Sequence, residues 1–164
     1  MKDVIAALFE YGLWANGRLL AKAASLAEPA LHQRFTRGAE PILPTFVHPV
    51  SADWRWFARW RGETLPPMLS VTDLPTLDAV REKWEALHPL RRAYIASLSD
   101  ADLREVIRWS RDGGTAALPR WQGIVQCANH GTQHRSEIAA MLTDAGHSPG
   151  DLDFGRYCLE RAAS

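Results

Sequence analysis

Residues 119–146, PRWQGIVQCANHGTQHRSEIAAMLTDAG, carry the longest helical signal in the chain. Pro119 suits the first turn of a helix, where a missing N–H costs nothing, and Gly146 and Pro149 mark the stop. With His130 set at zero on a helical wheel, Met141 falls at about 20°, His134 at about 40°, Cys127 at about 60° and Ile138 at about 80°. Ile124 and Leu142 follow at about 120°. One face is thus apolar and carries two imidazoles, and it calls for neighbouring helices to cover it.

The flanking sequence supplies those neighbours. Upstream, 105–110 is a short alternating stretch before Asp112-Gly113-Gly114, a hairpin signal whose pairing is expected to be weak because the next strand, 115–118, is tiny. Ser99 and Asp102 form a capping box with Asp in place of Glu, which opens a short turn of helix. A long helix is expected over about 76–98 and another over about 41–61, the latter stopped by Gly62 and the Pro66-Pro67 pair. A first helix spans about 3–25, a short polar connector begins at Glu28-Pro29, and a last short helix fits 152–161. No repeat or long linker divides the chain. The expected fold is all-α: a single four-helix-bundle domain over 1–164, with a short β-hairpin before the last long helix.

Composition narrows the function. The 164 residues are 46% hydrophobic, with 19 basic and 19 acidic side chains, a balance that argues against a nucleic-acid binder or an anionic-membrane binder. No apolar run is long enough to span a bilayer, and no signal-like start is visible. Two cysteines are too few for a disulfide scaffold, so a cytoplasmic location is expected. Seven tryptophans point to core and interface anchors, in keeping with a homodimer.

His130 and His134 stand one turn apart on the apolar arc, a spacing that lets two imidazoles meet at one metal ion. Alternatively, both rings find hydrogen-bond partners in the core, since unpaired burial is costly. A metal needs a third ligand. By helical position Cys127 and Glu137 qualify, and His48, His88, His32 and His147 are available from elsewhere. Spacing alone does not choose among them. Glu137, at about −20°, is also placed to hold a ligand ring by hydrogen bond or to act as a base. Cys127 equally fits a small buried filler.

Three blocks together resemble the DinB/YfiT-like metalloenzyme superfamily. They are Tyr11-Gly12-Leu13-Trp14-Ala15-Asn16-Gly17-Arg18, then Val47-His48 with Ala52-Asp53, Trp56-Phe57 and Arg59 to Glu63, and finally Asn129 to Ile138 with Leu142, Gly146, Pro149 and Asp153. The resemblance implies a bundle in which His48, His130 and His134 bind a divalent metal at one end, zinc first, with nickel or iron as alternatives. It further implies an enzyme that transfers a small-molecule thiol to an electrophile. A hydrolase on the same three histidines and a non-catalytic metal-binding dimer are the alternatives. Pro49 departs from the regular helix of that family: either the helix kinks beside His48 or it starts at Pro49. On a straight helix Arg55 and Arg59 share the stripe of His48 within about 20°. The adopted expectation is that a kink turns His48 inward and that these arginines line the pocket mouth and contact the thiol.

Overall fold

The structure is a computed structural model that describes residues 1–164 except Arg37, Ala39, Asp112 and Ser164, and of Arg111 the backbone only. Four long helices dominate: α1 (Lys2–Ala23), α3 (Ile42–Trp60), α4 (Leu77–Ser97) and α6 (Arg120–Asp144). Short α2 (Glu28–Leu31), α5 (Asp100–Arg104) and α7 (Phe154–Ala162) connect or flank them, and β1 (Val106–Arg111) pairs antiparallel with β2 (Gly114–Pro119). The local signals act as expected. Thr76 Oγ1 accepts the Ala79 N–H at the start of α4, and Ser99 and Asp102 complete the capping box of α5.

The core divides into two layers that reveal the chain path. Leu19, Phe46, Val80 and Met141 meet in one layer, and Ile5, Trp60, Ile95 and Ile124 in the other. The end of α1 therefore lies beside the starts of α3 and α4 and the end of α6. So α1 and α6 run one way and α3 and α4 the other. Each helix packs on two neighbours, in the cyclic order α1, α6, α3, α4. The segment 61–76 runs back along the bundle to start α4 beside the start of α3.

One expectation needs correction. The hairpin is not frail: six residues pair on each side, from Val106 with Pro119 to Arg111 with Gly114. Packing supplies what the short second strand lacks, because Ile107, Trp109 and Leu118 join the second core layer and Trp56 meets Trp109 edge-on at 5.3 Å. Gly123 permits that approach; a Cβ there would lie 3.1 Å from Ile107 and 3.2 Å from Trp56. Asp112 of the expected turn lies outside the described residues, while Gly113 takes the left-handed φ of 77°. The structure also decides between the two alternatives for Pro49, which sits inside α3 and does not start it. A proline there costs about 3 kcal/mol in an isolated helix. The helix persists because Phe46, Val47, Pro49 and Val50 are all buried on its inner face.

Candidate metal centre

His48 in the second turn of α3 meets His130 and His134 in the middle of α6, on the flank of the bundle and not at its end. His130 Nε2 stands 3.2 Å from His48 Nε2 and 3.1 Å from His134 Nε2. One nitrogen from each ring lies within 4.8 Å of the others, a group that could hold a metal ion. Nitrogens about 2.0–2.1 Å from one zinc ion lie about 2.9–3.4 Å apart for bond angles between square and tetrahedral. The two short separations fall in that range.

Proton accounting is compatible with a cation as well. A neutral imidazole has one N–H and one lone-pair nitrogen. His134 Nδ1 is 2.8 Å from Glu137 Oε2; in the neutral ring Nδ1–H donates to the carboxylate and the Nε2 lone pair faces the other rings. Gln133 Nε2 steadies the same carboxylate at 3.4 Å. Burial lowers the pKa of His48 and His130, and the neighbouring imidazoles lower both further against the opposing charge of Glu137. Both rings are therefore neutral near pH 7, the state a metal ligand requires.

His48 is exposed as a residue yet belongs to the cluster. No inward turn is needed, because the cluster itself opens to solvent. Beside it lies a cleft of about 640 Å³, the size range of small-molecule sites. Pro44, Val47, Leu69 and Val71 form its apolar wall, and Thr45, Ser70 and Gln133 add polar groups. The 61–76 segment is pinned over this cleft: Ser51 Oγ accepts the Leu69 N–H at 2.8 Å, and Arg55 Nη1 donates to the Pro66 carbonyl.

The structure does not bring Arg55 or Arg59 to the cleft lining. Arg55 reaches the Pro66 carbonyl, and Arg59 stacks 4.7 Å above Trp56 and 5.6 Å from Trp109. Their stripe passes along the edge of α3, where backbone carbonyls and indoles capture the guanidiniums first. Cys127 is fully buried beside Asp53, and burial pushes its thiol well above the usual range; it is not part of the histidine group. His32 pairs with Glu28, His147 with Ser25, and His88 lies 3.8 Å from Glu10.

Sequence reading overlooked a set of buried charges at the bundle centre. Arg91 donates to Asp53, and Arg135 is buried on the inner side of α6. A signal existed for both. Arg91 falls in the middle of the stripe made by Leu77, Val80, Trp84 and Ile95, and Arg135 lies at about 140° from His130, beside Leu142.

The chain is a helical bundle whose three converging imidazoles, open on one side and steadied by a carboxylate, could hold a metal ion. The DinB family model matches residues 1–161, and the chain belongs to the DinB family. It is also 25% identical over 163 residues to Protein DinB of Bacillus subtilis (strain 168), covering 96% of this chain and 95% of that protein. Among the described residues, no helix is long and apolar enough to cross a membrane.

Proposed function

We propose that this protein is a divalent-metal enzyme that transfers a small-molecule thiol to an electrophile, with His48, His130 and His134 as the ligands. The observation that carries the reading is the convergence of three Nε2 atoms beside an open cleft, with Glu137 holding the His134 ring by its other nitrogen. Three neutral nitrogen ligands leave coordination positions free, as catalytic sites require. Bound there, a cation supplies the Lewis acidity that favours thiolate over thiol at neutral pH. Imidazole ligands suit zinc, nickel and iron, and zinc is our first assignment.

The chain's own residues divide the remaining work. Val47, Leu69 and Val71 give the electrophile an apolar seat and limit water beside it. Glu137 keeps the His134 lone pair directed at the site, and its second oxygen, steadied by Gln133, serves as the base for a proton of the incoming group. Arg55 acts indirectly: through Pro66 it holds the segment that carries Leu69 and Val71.

The test is metal analysis of the purified protein, followed by assays of thiol consumption against chlorinated and epoxide electrophiles with and without chelator. Turnover abolished by chelator and restored by zinc, nickel or iron is the expected result. Turnover indifferent to chelator, or none with any thiol in metal-loaded protein, would overturn the proposal.

A further inference from the structure

A second polar site lies at the centre of the bundle, where α1, α3, α4 and α6 all contribute walls. Arg91 and Arg135 line it and are only 6% and 7% exposed. Asp53 accepts from Arg91 Nη1 and is the one carboxylate among the described lining residues. Arg135 Nη2 donates to Thr132 Oγ1 at 2.8 Å, and its guanidinium lies 5.1 Å from the Tyr11 ring. Gly131 makes room for it; a Cβ there would come within 2.8 Å of Arg135 Nη1.

Two guanidiniums against one carboxylate leave a buried net charge of about +1, since a guanidinium stays protonated in proteins. The Nε atoms of both arginines are buried and lack a hydrogen-bond partner. A buried unmatched charge costs several kcal/mol, and so do orphaned charged donors. An anion relieves both at once. Size limits its identity. The cavity holds about 50 Å³, against roughly 10–15 Å³ for one water. The space therefore admits a planar group of three or four heavy atoms.

We infer that the bundle centre binds a carboxylate-sized monoanion between Arg91 and Arg135. Planar carboxylates suit the forked donors of arginine, and the apolar walls, including Trp84, keep the pairing dry. The same chemistry comes from a free small carboxylate or from the end of a longer one.

Bromide soaking with anomalous diffraction locates the anion in the unmodified protein, and calorimetry with formate measures its binding. A bromide peak between the two guanidiniums is expected. Formate binding should weaken by roughly tenfold or more in Arg135→Met, the scale of one charge-assisted hydrogen bond, and persist in His130→Ala. Should Arg135→Met fail to fold, Arg135→Lys keeps the charge and loses the fork, and it should still bind formate more weakly. A series from acetate to butyrate separates the sources. Affinity falling beyond acetate assigns a free anion, whereas steady or rising affinity assigns the terminus of a longer ligand. Water-only density in the cavity, bromide confined to the surface, or formate binding unchanged in the Arg135 variants would overturn the inference.

Discussion

The histidine cleft and the arginine cavity share two helices, α3 and α6. On α3 the outer His48 is followed five residues later by the inner Asp53, and on α6 the outer His130 is followed five residues later by the inner Arg135. Five residues turn a helix by about 140°, enough to carry a side chain from one side of the α3–α6 wall to the other. The outer residues face solvent on one side and one another on the other. The inner residues have no water to fall back on, so each charge must be matched inside the protein. Similar spacing therefore produces two sites with opposite liabilities: losing a side chain costs the cleft little stability and costs the centre several kcal/mol.

The largest expected effect breaks the cleft without touching the core. His130→Ala or His134→Ala should abolish stoichiometric metal binding, more than the roughly 10- to 100-fold that loss of an outer hydrogen-bond partner costs. Helicity by circular dichroism should stay unchanged. Full metal retention in both variants would refute the ligand assignment.

The opposite perturbation is Asp53→Ala, which strands Arg91 in the interior. Denaturant unfolding should show a loss of about 3–5 kcal/mol, the usual result of removing one partner of a buried pair. A loss under 1 kcal/mol would mean that the pair is not buried as described. Glu137→Gln should come next, with metal affinity down by roughly 10- to 100-fold and the unfolding midpoint nearly unmoved. An equal fall in stability would assign Glu137 to the scaffold.

The smallest effect is a pH slope. His48 and His130 have pKa values lowered in the folded protein, so below the ordinary histidine value of about 6.5 the unfolded chain binds more protons than the folded one. Metal-free protein should therefore hold its full stability above about pH 6.5 and lose part of it as pH falls through the folded values. The paired variant His48→Gln, His130→Gln should flatten that slope in denaturation curves taken across the range. An unchanged slope would place its origin elsewhere, for instance in the half-buried His88.

Periodicity made the long helices legible, and the chemistry of single residues made their ends legible. Thr76, the pair Ser99 and Asp102, and Asp153 all cap where their side chains allow. The hairpin was underestimated because its strength comes from packing on Trp56, far away in sequence, and on α6 at Gly123. His130 and His134 announced themselves by spacing on one helix. His48 was reached only through resemblance, because no local pattern links it to α6.

Helical pitch and side-chain type are local properties, so residue order alone determined the four rods, the caps of α4, α5 and α7, and the paired imidazoles on α6. Burial and partnership depend on which rods lie side by side. That packing decided that an exposed histidine completes the cluster and that Arg55 serves a loop carbonyl. It also decided that Arg91 and Arg135 share the dry interior with a single carboxylate. Electrostatic cost is set by surroundings, and surroundings exist only once the chain has folded.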